Sequence, residues 1–227
     1  MLYSEINSST PSIIRGEDAD WFLSGTYYAK PAEEAEPVVV RIRQVPGNGS
    51  CLFLSIAAGI LYNESSVHGA HQHPIMSQVQ DLSRKLRNQA VDRLEYNILH
   101  NKQLIIQNNE TINASELVAL AANQHGITSN EYLHKMRNVR VWGGGPEIVA
   151  LANELERSIV LMGIDSADSG QISKDAAIYL KVVARFGPNL VGTNPAIYIL
   201  SANQHFPNVD SNAAESHFLA VFPCSPL

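Results

Sequence analysis

Two residues of this sequence have the type and the setting for nucleophilic chemistry. Cys51 follows the run Pro46-Gly47-Asn48-Gly49-Ser50 and opens an apolar stretch that continues to about Tyr62. Pro46, Gly47 and Gly49 stop a strand-like run over residues 38–45 and force a tight turn. A helix then begins, so the thiol falls in a first helical turn. Unpaired N–H groups and the positive end of the dipole favour a thiolate there. The N–H groups of Asn48, Gly49, Ser50 and Cys51 are also placed to hold an oxyanion. His217 opens the last apolar run, His217-Phe218-Leu219-Ala220-Val221-Phe222. A strand mouth holds an imidazole rigidly and leaves it accessible, which suits a general base for a thiol. Taken singly, each has a plainer reading: a buried cysteine in an apolar helix and a structural histidine. The glycine turn and the pairing of the two favour chemistry.

The elements that must position them read as follows. Apolar residues at Ile75, Val79, Leu82, Leu86, Ala90, Leu94 and Ile98 predict a long amphipathic helix. A second helix is expected over residues 114–124, ended by Gly126. A third starts at Thr128, where Thr128-Ser129-Asn130-Glu131 fits a capping box, and runs to about Asn138. In Val141-Trp142-Gly143-Gly144-Gly145-Pro146-Glu147, three glycines precede a proline suited to the first helical position, and Glu147 stands where the dipole favours a carboxylate. That helix runs to about Glu156. The glycines read equally as a turn between elements and as a surface that another backbone approaches closely. Strands are expected over residues 158–164, 177–184, 196–201 and 217–222. One strand, a block of helices and then strands make an α+β domain with helices grouped against a sheet.

Residues 1–36 are weakly patterned and form an N-terminal extension. A short helix is expected near Asp18 to Phe22, with Trp21 packed on the main body, and an acidic linker bounded by Pro31 and Pro37 follows. The compact domain covers residues 37–227. The chain of 227 residues carries a formal charge of −6, which argues against nucleic acid as a partner. No run approaches the ~20 apolar residues of a membrane-spanning helix. The N-terminus lacks the pattern of a signal peptide. Two cysteines make no disulfide framework and point to a reducing, intracellular and cytoplasmic setting. His68, His71 and His73 lack a nearby cysteine or carboxylate to complete a metal site, so an exposed polar loop is expected and no metal or other cofactor.

Three blocks together resemble the ovarian tumour (OTU) family of deubiquitinating cysteine proteases. Asn48-Gly49-Ser50-Cys51-Leu52-Phe53 is similar to its Asp-Gly-Asn/Ser-Cys-Leu-Phe. Trp142-Gly143-Gly144 with Glu147-Ile148 is similar to its Trp-Gly-Gly-x-x-Glu-Leu. Ser216-His217-Phe218-Leu219-Ala220-Val221 is similar to its His-Tyr/Phe-x-Ser/Ala-Val. The resemblance covers residues 38–223. It implies a papain-type fold with a mostly antiparallel central sheet. It also implies cleavage of the isopeptide or peptide bond after the C-terminal glycine of ubiquitin, polyubiquitin or a ubiquitin-like modifier. Cys51 would be the nucleophile and His217 the base, with a narrow channel for two glycines walled by Trp142, Gly143, Gly144, Gly145 and Glu147.

Two positions depart from the pattern. Where the family has Asp three residues before the cysteine, this chain has Asn48. Where many members have Asp or Asn two residues after the histidine, it has Leu219. An amide can still orient an imidazole through its carbonyl oxygen, as in papain-like triads. Asn48 is therefore expected as the orienting residue or as part of the oxyanion hole, with Asp210, Asn212 and Glu215 in reserve and His205 as an outside rival to His217. A ubiquitin-binding module without turnover and another papain-like amidase stay open as alternatives.

Overall fold

A computed structural model describes residues 22–23, 26–30, 36–67, 73–165, 177–188, 194–202 and 217–224. Its elements run β1 (Tyr27–Lys30), β2 (Val38–Arg43), α1 (Cys51–Val67), α2 (Met76–Leu99), β3 (Gln103–Ile105), β4 (Thr111–Asn113), α3 (Ala114–Gln124), α4 (Ser129–Met136), α5 (Gly145–Glu154), β5 (Ile159–Ile164), β6 (Ile178–Phe186), β7 (Ile197–Ala202) and β8 (His217–Pro223). The fold is α+β, as expected. Six strands form a mixed sheet in the order β1-β2-β8-β7-β5-β6, which closes on itself because β1 also pairs parallel to β6.

Alternation along the strands sorts side chains to two cores. Val40, Ile42, Val160, Met162, Leu200, Leu219 and Val221 fill the inside of the closed sheet. Phe218, Ala220 and Phe222, on the opposite face of β8, join the helical core. Leu219 is therefore held inside the barrel, where a carboxylate would be buried among apolar side chains at a cost of several kcal/mol.

The centre of the helical layer is α1. Every residue from Cys51 to Ile60 is buried, as befits a helix that is apolar all round. It lies against β7 and β8 on one side and α2 on another. Gly59 permits the approach to β7, since a Cβ there would stand 2.7 Å from Ile197 Cγ2. Ser55 Oγ donates to the Phe218 carbonyl at 3.0 Å, which fixes α1 against the start of β8.

The capping box of α4 forms: Glu131 N–H donates to Thr128 Oγ1 at 3.3 Å and Thr128 N–H to the Glu131 carboxylate at 2.8 Å. Thr128→Ala removes one half of it and is expected to cost about 1 kcal/mol, read as a fall in Tm. The side chains of α2 and α5 are joined by an ion pair between Arg93 and Glu154.

Three features differ from the sequence expectations. Tyr27–Lys30 lies within the segment set apart as an extension, yet it is a full member of the sheet, paired with β2 and β6. Phe22 is bridged to Arg43; Asp18, Asp20 and Trp21, also assigned to that segment, fall outside the described residues. The hairpin β3–β4 was not foreseen. Its turn uses positive φ at Asn108 and Asn109, which asparagine tolerates better than most residues.

Candidate active site

The turn before α1 is built from both sides. Asn48 Oδ1 accepts from Ser50 N–H at 3.3 Å, a local closure of the bend. Ser50 Oγ donates to the Val139 carbonyl at 2.9 Å. Gly49 has φ +87°, and a Cβ on it would meet the Arg140 carbonyl carbon and oxygen at 2.5 Å. The turn is thus latched to residues 138–145, the segment carrying Trp142 and the three glycines.

That segment lies against α1. A Cβ on Gly143 would stand 2.8 Å from Phe53 Cε2, so packing against the helix requires this glycine. A Cβ on Gly144 or Gly145 would meet nothing within 4 Å. Trp142 is exposed, and its ring stands edge-on to that of His217, with centroids 6.5 Å apart and planes at 75°. The three blocks singled out in the sequence therefore meet.

Cys51 is 1% exposed at the first position of α1. N–H groups of Phe218, Leu52 and Cys51 itself act on its sulfur and favour the thiolate, as does the charge of Arg87. Burial outweighs them and pushes the thiol up to about 11. The expectation of a thiolate from the helix dipole alone is corrected accordingly, because desolvation in this packed position is the larger effect. The native state then keeps a proton that the unfolded chain releases at ordinary thiol pKa. Stability from this source is present below about pH 9 and is lost as pH rises towards 11. In a Cys224→Ala background, alkylation of Cys51 by iodoacetamide is expected to be slow at pH 7.5 and to rise steeply between pH 9 and 11. A plateau below pH 8 would contradict the dominance of burial.

His217 follows the same logic. It is 4% exposed, so the imidazole is enclosed rather than open as the strand-mouth argument expected. Its Nε2 lies 3.1 Å from the Val45 carbonyl oxygen. A carbonyl only accepts, so Nε2 carries the hydrogen and the lone pair of the neutral ring falls on the buried Nδ1. The next residue, Phe218, offers its N–H to the Cys51 sulfur. Thiol and imidazole are therefore carried by neighbouring backbone.

Glu147 was expected among the substrate-facing residues. It is fully buried, and its carboxylate accepts from the Tyr132 hydroxyl at 3.0 and 3.2 Å and from Gly144 N–H at 2.8 Å. It stands behind the glycine segment and braces it. Burial raises its pKa; the bonds from Gly144 and Tyr132 and the charge of Arg87 oppose that.

Sequence reasoning missed three contributors: the Val45 carbonyl, Tyr132 and Arg87. A backbone carbonyl leaves no trace in residue type. Arg87 does: it falls four residues after Ser83 and eight after Val79, on the buried stripe of α2. Of the other candidates, Asp210, Asn212, Glu215, His205, His68 and His71 lie outside the described residues. His73 packs its ring on Phe22, Tyr62 and Phe222. Among the described residues no His, Cys, Asp and Glu cluster could hold a metal ion, and no helix is long and apolar enough to cross a membrane.

The fold thus carries a cysteine at the head of its central helix and a histidine at the start of a strand packed against that helix. The OTU-like cysteine protease family model matches residues 46–194, more than half of the chain, and the chain belongs to that family. The match takes in Cys51 and the Trp142 block; His217 lies beyond it. Similar solved structures include the Hazara virus OTU bound to ubiquitin, 17% identical, covering 88% of this chain and 97% of that one with a TM-score of 0.44. The viral OTU domain protease from Taggert virus is 14% identical over 90% and 97%, with a TM-score of 0.46. An OTU deubiquitinase from Wolbachia pipientis wMel bound to ubiquitin is 12% identical over 81% and 96%, with a TM-score of 0.42. No curated protein matches the chain.

Proposed function

We propose that this protein is a thiol-dependent deubiquitinase that hydrolyses the bond after the C-terminal glycine of ubiquitin. The observation that carries the reading is the meeting of the Cys51 helix head, the glycine segment and His217: Gly143 packs on Phe53, the Trp142 ring stands edge-on to that of His217, and His217 donates from Nε2 to the Val45 carbonyl. Because the thiol rests protonated, His217 acts as a general base through Nδ1 while Cys51 attacks the carbonyl, rather than as half of a standing ion pair. The imidazolium returns its proton to the leaving lysine amine, and water hydrolyses the thioester. Backbone N–H groups of the Asn48–Cys51 turn hold the oxyanion. Asn48 shapes that turn, and the Val45 carbonyl orients the ring where relatives use an acid. A carbonyl stabilises the imidazolium less than a carboxylate, so turnover is modest. Trp142, Gly144 and Gly145 line the channel for the ubiquitin tail. A free nucleophilic thiol suits a reducing, intracellular compartment.

Ubiquitin binding without turnover is a second reading, favoured by the burial of Cys51. Diubiquitins incubated with wild type, Cys51→Ala and His217→Ala separate the two. Cleavage by wild type alone supports the protease. Binding without cleavage by any of the three supports the module.

A further inference from the structure

Arg87 reaches the floor of the site from α2. It is 2% exposed, and its guanidinium lies over the Phe53 ring, 4.2 Å from the centroid. Nη1 donates to the Met136 carbonyl at 2.9 Å and Nη2 to the Gly49 carbonyl at 2.8 Å, with Ser50 Oγ at 3.5 Å. Burying a guanidinium is unfavourable unless it is well paired. An apolar side chain would fill this stripe of α2 at lower cost, so packing alone does not account for an arginine here.

The bond to Gly49 supplies the reason. In a trans peptide the carbonyl and the following N–H point in opposite directions. Drawing the Gly49 carbonyl into the interior keeps it off the open face of the turn and leaves the Ser50 N–H on Asn48 Oδ1. A flipped Gly49–Ser50 peptide would instead present a carbonyl where an oxyanion must be received. The second arm, on Met136 at the end of α4, ties the fork to a fixed point on the helical layer. The Glu147 carboxylate offsets the burial of the guanidinium, and the same Glu147 holds Gly144 N–H. One buried cluster thus supports both walls of the site.

We infer that Arg87 is a positioning residue that holds the Gly49–Ser50 peptide in the orientation needed for the oxyanion, without touching substrate. This rests on the cysteine-protease reading above. The test is the steady-state kinetics of Arg87→Met and Arg87→Lys on a fluorogenic ubiquitin conjugate, with Tm recorded for each. The expected result is a fall of about 100-fold in kcat for Arg87→Met with KM changed by less than about threefold. Arg87→Lys recovers less than about tenfold of that loss, because a single ammonium lacks the fork that reaches two carbonyls. A folded Arg87→Met with wild-type kcat, a loss confined to KM, or full recovery in Arg87→Lys overturns the inference. If Arg87→Met does not fold, Arg87→Lys carries the test. The backbone amide resonances of Gly49, Ser50 and Cys51 provide a readout that needs no substrate. They shift in the Arg87 variants if the guanidinium holds the turn, and unchanged resonances overturn the inference. An inert wild type sinks the protease reading alone, and the resonances still decide the role of Arg87.

Discussion

Cys51→Ala is expected to abolish cleavage of ubiquitin conjugates, with a loss of at least about 10⁴-fold, while the protein stays folded and still binds ubiquitin. The size follows from the role. Without sulfur no thioester forms, and the oxyanion donors that remain cannot supply a nucleophile. The fold survives because the change removes one atom from a packed helix that keeps its contacts to β7, β8 and α2. The lost burial amounts to about 1 kcal/mol. Parallel gels of wild type and variant, with binding measured on the same preparations, check this. Residual cleavage by a pure Cys51→Ala sample would mean that another group performs the attack.

Gly49→Ala is the second large effect. The residue sits at φ +87°, a region that alanine adopts only with strain, and the added Cβ would stand 2.5 Å from the Arg140 carbonyl carbon and oxygen. Those are backbone atoms of the latched segment and cannot swing aside as a flexible side chain can. The turn must move, and with it go the bonds from Arg87 to Gly49 and from Ser50 to Val139. A displacement of about 1 Å in the oxyanion turn is expected to lower kcat by about 100-fold or more. Stability falls by roughly 1–3 kcal/mol. Gly144→Ala, where a Cβ meets nothing within 4 Å, serves as the stability control and lowers Tm far less than Gly49→Ala, through its helix N-cap alone. Equal Tm and kcat for Gly49→Ala and wild type would show that the turn is freer than its packing indicates.

The features that were legible in the sequence are those written in local chemistry. Pro46, Gly47 and Gly49 ended β2 and started α1 because breakers act within a few residues, and the apolar run after Cys51 marked a helix buried on all sides. Thr128 and Glu131 announced α4 through a capping box that needs only four residues. Closure of the sheet was not legible, because the parallel pairing of Tyr27–Lys30 with Ile178–Lys181 joins segments about 150 residues apart, and a four-residue strand carries too little pattern of its own. Glu147 shows the limit most plainly. Its place in a first helical turn is dictated locally, but its burial depends on Tyr132 from α4 and the charge of Arg87 from α2. Cys51 is similar: the dipole argument sees the helix end and misses the packing that keeps the thiol protonated. The Val45 carbonyl that holds His217 belongs to the backbone, and residue type does not encode it.

The central claim is that Cys51 is a nucleophile serving the ubiquitin C-terminus. Reaction with ubiquitin bearing a C-terminal electrophile, followed by peptide mass spectrometry, tests it most directly. The account predicts a single adduct on Cys51, absent in Cys51→Ala and strongly slowed in His217→Ala. No adduct on wild type, or an adduct on Cys224 with Cys51 unmodified, would contradict it.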